Sequence, residues 1–182
     1  QDLVDKILGG KGFVVDSPIL PGLFGYSPNL KKYDFDLEVA KATLENNGWK
    51  DSDQDGFREK DFAVDSKNKE KVKLEIDLLT TQRPDLAETA NLLKGQWAKA
   101  GIKVNIETKE TLDLQQNFIK PRQYQTLLFG EALGLDPDPF AFWHSSQRND
   151  PGLNLALYNN KEADKLLEEG RKEIDANIRS QK

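Results

Sequence analysis

Hydrophobic positions along the chain recur with two periods, and the period changes at glycines and prolines. After Asp36, apolar residues fall at Leu37, Ala40 and Leu44, a helical spacing that predicts one buried face. Asp36 stands where a helix N-cap belongs. Gly48 supplies the left-handed residue after the helix, and Trp49 the apolar contact of a Schellman turn. Over residues 71–79 the period drops to two. Val72, Leu74, Ile76 and Leu78 share one face, which predicts a single half-buried strand. Pro84 opens another helix, with Leu86, Ala90, Leu93 and Trp97 on its buried side, and Gly101 closes it. Ile102, Val104 and Ile106 then alternate as a second strand. Strand, helix and strand with short joins make a βαβ unit with parallel strands. Beyond it the pattern predicts a short helix over residues 111–119, an apolar strand over 124–129 and a short helical segment over 140–143.

The two ends are less regular. Residues 2–8 read as a short amphipathic helix. Residues 9–29 are rich in glycine and proline yet carry Phe13, Val14, Val15, Ile19, Leu20 and Phe24. A flexible linker would be polar, so this stretch is expected to be an ordered loop packed on the domain surface. At the far end Leu166, Leu167, Gly170, Ile174 and Ile178 keep a helical period to Lys182 without a capping glycine or proline. That pattern leads us to expect a chain cut inside a helix, so the lack of a signal peptide says nothing about export.

Composition narrows the function classes. The 182 residues suit one α/β domain, a mixed sheet flanked by helices, and no apolar run approaches a membrane span of roughly 20 residues. The net charge of −5 is spread among interspersed acids and bases with no basic stripe, which argues against a nucleic-acid partner. With no cysteine, disulfides and thiolate metal sites are excluded.

Three groups of residues invite chemistry. Asp51, Asp53, Asp55 and Gly56 form the opening of an EF-hand-like loop, in which alternating carboxylates suit calcium. The twelfth position is Phe62 where a bidentate glutamate is expected, so an Asx-rich turn bonding its own backbone is the competing reading. A calcium-stabilised, non-catalytic interaction module is the corresponding alternative function. Asp136 and Asp138 are paired carboxylates of the kind a hydrolase uses, but the prolines between and after them make a turn, and no nucleophile elbow or metal-ligand set accompanies them. His144, the single histidine, is read as a helix-end or polar-contact residue, and Phe140, Phe142 and Trp143 as an aromatic cluster with one ring toward a cleft.

Several stretches together resemble the peptide-type bacterial extracellular solute-binding proteins, family 5. They are YDFDLEVAKATLENNGWKDSDQDGFREKD, LAETANLLKGQWAKAGIKVNI, and FGEALGLDPDPFAFWHSSQ followed by NLALYNNKEADKLLEEG, and they cover nearly the whole chain in order. The resemblance implies a type II periplasmic-binding-protein-like fold. Residues 1–182 would form one domain, the C-terminal lobe of a two-lobed clamp that closes on its solute. It also implies a non-enzymatic, extracytoplasmic protein, periplasmic or lipoprotein-anchored. Such a protein would hand a peptide or similar small solute to a membrane ABC permease, with no cofactor.

By the same resemblance the ligand-contacting residues are Phe129, Gly130, Glu131, Ala132, Leu133, Gly134 and Asp136, with Trp143 nearby. From the residues alone this loop is an ordinary turn after a strand. Glu131 replaces the tryptophan of dipeptide- and oligopeptide-binding members, and Gly134 aligns with the aspartate that pairs with a peptide's α-amino group. Asp136 stands two residues on, and Glu131 is suited to a cationic group.

Overall fold

A computed structural model of the protein describes residues 1–65, 68–133 and 138–180. Its centre is β3 (Glu75–Thr81), which runs parallel to β4 (Lys103–Lys109) on one side and to the two-residue β5 (Thr126–Leu127) on the other. The β3–β4 register runs from Glu75 opposite Lys103 to Thr81 opposite Lys109. The helix between them, α3 (Pro84–Ala98), begins with proline at its first turn and buries Ala90 completely, so the expected βαβ unit is present.

Successive strand residues face opposite sides of a sheet, and β3 uses both. Leu78 packs with Ala90 and Val104 beneath α3, joined by Trp97, Ile102 and Ile106. Leu79 points the other way into a second cluster with Leu114 and Ile119, edged by Phe118, Tyr124, Leu127, Phe129 and Leu155. The expected 111–119 helix is a short α4 (Thr111–Asp113) continued by a π-helical turn, Leu114–Ile119. The wider turn brings Leu114 and Ile119, five apart, to one buried side.

Parallel and antiparallel pairings occur in separate sheets. The alternation over residues 71–79 is not one strand: β2 (Lys69–Lys73) pairs antiparallel with β1 (Glu59–Ala63), and β3 starts afresh at Glu75. Between them the Leu74 amide donates to the Arg58 carbonyl at 2.7 Å. Alternation records which face is apolar and not which strand lies alongside, so two segments in phase read as one. All of β2 is exposed, Val72 included.

Helix α2 (Leu37–Asn46) has the expected ends. Asp36 accepts the Val39 amide at 2.9 Å, Gly48 has φ +85°, and Trp49 N–H donates to Leu44 O at 3.0 Å. Its expected buried face is not buried: Leu37 and Leu44 are half-buried and Ala40 is exposed. Short α1 (Asp2–Lys6) precedes the glycine-rich stretch, which packs only in part: Phe13, Val14 and Val15 are exposed, while Ile19 and Leu20 are half-buried and the Phe24 ring lies 5.4 Å from the Arg179 guanidinium.

The far end also departs from its pattern. Helix α6 (Lys161–Lys172) stops where Glu173 turns extended. Asp175 then caps a separate α7 (Ala176–Arg179), accepting the Asn177 and Ile178 amides at 2.8 and 3.2 Å. An aspartate able to bond two amides ahead competes with helix continuation, and Ile174 between the helices is 97% exposed.

Candidate functional site

The strand expected over residues 124–129 pairs regularly only at Thr126 and Leu127, but the chain on either side stays bonded to β3. Asp77 N–H donates to Gln125 Oε1 at 2.6 Å, Leu128 N–H to Leu79 O at 2.9 Å, and Thr80 Oγ1 to Leu128 O at 2.8 Å. Past Leu128 the backbone leaves the sheet at the carboxyl end of its parallel strands, where open α/β sheets place ligands. A hollow of about 600 Å³ opens there, with Tyr124, Leu127 and residues 129–132 on one side. Phe142, from α5 (Phe140–Trp143), and residues 153, 155, 156 and 157 form the rest of the wall.

The far wall has no regular structure and is held by side chains. Asn154 is fully buried. Its Nδ2 donates to the carbonyls of Tyr158 (2.9 Å), His144 (3.1 Å) and Trp143 (3.3 Å), and its Oδ1 accepts the Tyr158 amide at 3.0 Å. Tyr124 Oη donates to Leu155 O at 2.6 Å across the hollow's base, and burial pushes its hydroxyl pKa up. Arg122 donates through Nε to Arg148 O (2.8 Å) and through its terminal nitrogens to Gly152 O (2.6 Å) and Ile119 O (2.5 Å). The sequence reading passed over Asn154, Tyr124 and Arg122. Each acts on backbone carbonyls distant in sequence, and no local motif marks such a role.

Of the residues expected to meet ligand, Phe129, Gly130, Glu131 and Ala132 line the hollow together. Gly130 has open space where a side chain would stand, so its backbone is uncovered toward the hollow. Glu131 is exposed at the rim, and desolvation by its surroundings raises its carboxyl pKa. Among the described residues Glu131 makes no hydrogen bond or ion pair. Leu133 is exposed beside the hollow but does not line it. Gly134 and Asp136 lie outside the described residues. The ring toward the hollow is Phe142, whereas Trp143 packs edge-on against Tyr158 at 6.0 Å.

The other candidate groups make local contacts away from the hollow. Asp138 accepts the Phe140 amide at 3.1 Å and pairs with Arg171 at 3.0 Å. His144 stacks on Phe140 at 4.2 Å and accepts the Ser146 amide at 3.1 Å, capping a short turn as its helix-end reading expected. Asp164 takes the Ser145 hydroxyl and amide, which hold its carboxyl below the usual range, with His144 and Arg148 adding to the effect. In the acidic loop Asp51 accepts the Gly56 amide (3.1 Å), Asp53 the Asp55 amide (3.3 Å) and Asp55 the Phe57 amide (2.9 Å). Phe62, the twelfth position, lies in β1 against Trp49.

A family profile described as "Bacterial extracellular solute-binding proteins, family 5 Middle" matches residues 1–154. The chain belongs to this family. Family 5 proteins bind solutes for ABC transporters and are not enzymes. The oligopeptide-binding protein AppA of Bacillus subtilis is 30% identical over 94% of this chain and 30% of its own length. The structure of AppA in complex with a nonapeptide superposes with a TM-score of 0.84 at 28% identity, covering 99% of this chain and 34% of that one. NikZ from Campylobacter jejuni, in complex with Ni(L-His), gives a TM-score of 0.81 at 26% identity, covering 99% and 34%. Heme-binding protein A of Haemophilus influenzae is 27% identical over 92% of this chain and 28% of its own length. The chain thus spans about a third of the length of these family 5 relatives. Among the described residues no helix is long and apolar enough to cross a membrane.

Proposed function

We propose that the chain is the C-terminal lobe of a two-lobed, extracytoplasmic solute-binding protein that delivers a small solute to an ABC permease, and that the hollow at the end of β5 is its half of the solute cleft. The observation that carries this reading is the hollow itself. It has apolar walls, uncovered backbone at Gly130 and, at Glu131, a partly desolvated carboxylate with no hydrogen bond or ion pair among the described residues. Pockets of this kind take their specificity from a few polar groups set in an apolar surround. The relatives described with a nonapeptide and with Ni(L-His) support solute capture and allow more than one solute class.

Glu131 selects solutes bearing an ammonium or guanidinium group, peptides among them, because a partly desolvated carboxylate gains most from a charged donor. The test is calorimetry on the protein carrying both lobes, comparing matched cationic and neutral peptides. Glu131→Gln is expected to weaken the cationic peptide about tenfold or more, the loss of one charge-assisted hydrogen bond, and to leave the neutral peptide unchanged. Equal weakening of both would refute the role given to Glu131. An absence of binding by the unaltered protein across peptides, amino acids and metal chelates would refute solute capture.

A further inference from the structure

The acidic loop ahead of β1 gathers a different set of carboxylates from the one its motif suggests. One oxygen each from Asp51, Asp53 and Glu59 lies within 4.8 Å of the others, and Asp55 stands outside the group. Asp55 instead accepts the Phe57 amide and pairs with Lys73 at 2.5 Å. Glu59 is 3% exposed. Its Oε1 accepts the Ser52 amide at 2.8 Å and the Ser52 hydroxyl, and lies 3.7 Å from Lys71. Its Oε2 is buried with no hydrogen-bond partner among the described residues. Buried carboxylate oxygens are nearly always satisfied, and a buried carboxylate that keeps one oxygen without a donor while approaching two further carboxylates is a place for a cation.

We propose that Asp51, Asp53 and Glu59 form a calcium site, with Asp51 and Asp53 closing over the ion from the exposed side and Glu59 holding it from the buried side. Counting Asp51 as position one, Glu59 stands at nine, so a ligand at nine serves where the EF-hand pattern would use Asp55 at five and Phe62 at twelve. The donors are all carboxylate oxygens. The chain has no cysteine and its one histidine lies elsewhere, which favours a hard cation over zinc or copper. Irregular spacing and a partly exposed face, with water completing the shell, suit calcium better than magnesium, which demands a near-ideal octahedron. Lys73 lies 3.5 Å from Asp53 but 2.5 Å from Asp55, so it can stay on Asp55 when the ion takes Asp53. The ion would brace a loop whose ends are already joined, since Lys50 and Glu59 exchange both backbone hydrogen bonds at 2.8 and 2.9 Å.

The test uses the 182-residue chain after chelation, titrated with calcium chloride while its unfolding temperature is followed, and separately with terbium, whose luminescence Trp49, two residues ahead of Asp51, can sensitise. Calcium should raise the unfolding temperature saturably, with a dissociation constant around 10⁻⁴–10⁻³ M, and magnesium should do so at least about tenfold more weakly. Glu59→Gln should weaken binding at least about tenfold. Asp51→Asn should do the same while keeping an oxygen for the Gly56 amide, so it reports on the metal even if the Glu59 variant fails to fold. Asp55→Asn, which removes no ligand but frees Lys73 toward Asp53, should weaken binding less than either of these. No calcium response up to about 10 mM would overturn the site, and so would binding that survives Glu59→Gln and is lost with Asp55→Asn.

Discussion

Replacing Asn154 by alanine should loosen the far wall of the hollow and cost the protein about 3 kcal/mol. The amide group has two hydrogens for its three carbonyl contacts, so it makes two full donor bonds and shares the third, while its oxygen accepts one amide. Three net hydrogen bonds at about 1 kcal/mol each give the figure. The partly buried Tyr158 amide, once left without its acceptor, pushes the cost upward. For a chain of this size that corresponds to a fall in unfolding temperature of roughly 6–12 °C. Urea unfolding followed by tryptophan fluorescence measures it, with Trp143 reporting beside the substituted residue. Asn154→Asp is the sharper companion, because it keeps the shape and the acceptor but sets a carboxylate against three carbonyl oxygens. Its folded-state pKa must rise, so its stability should be better below the ordinary carboxyl range and fall as pH rises through the folded value. A loss under about 1 kcal/mol in the alanine variant, or an aspartate variant as stable as the parent at neutral pH, would refute the account of Asn154 as the fastener.

Gly152→Ala should destabilise by about 1–3 kcal/mol in thermal unfolding, because the added Cβ would overlap the Gln147 backbone carbonyl while Arg122 holds the Gly152 carbonyl in place. Gly130→Ala, whose Cβ meets nothing within 4 Å, should change stability by less than about 0.5 kcal/mol, so reversing that order would overturn the steric reading. The lowered carboxyl pKa of Asp164 means it contributes stability above its unfolded value, lost as pH falls through the folded one. Unfolding temperature measured from about pH 5 to pH 2 should therefore drop less steeply in Asp164→Asn than in the parent, and parallel acid limbs would contradict the assignment.

The parts of the fold legible in the sequence are those in which one local pattern decides one structure. The spacing of Leu86, Ala90, Leu93 and Trp97 marks α3, the alternation of Ile102, Val104 and Ile106 marks β4, and Asp36, Gly48 and Trp49 mark the ends of α2. The break at Leu74 was hidden because both segments keep the same apolar phase across it. The stop at Glu173 was hidden because the capping power of Asp175 is invisible to a hydrophobic count. In the site, residues 129–132 were picked out by the family resemblance, since from the residues alone they read as an ordinary turn after a strand. Phe142 and Trp143 could not be told apart, since neighbours in a short helix differ only in which way they turn. Asn154 gave no signal, because its Trp143 and His144 carbonyl partners are brought to it by tertiary packing.

The acidic loop and the hollow attach to opposite ends of the same strand. Arg58, next to Glu59, takes the amide of Leu74 just before β3 begins, while the chain that opens the hollow leaves β3 beside Leu79. Strand rise places those points roughly 17 Å apart. On the proposed reading, the solute-facing end can change its side chains without altering how the sheet begins at the other.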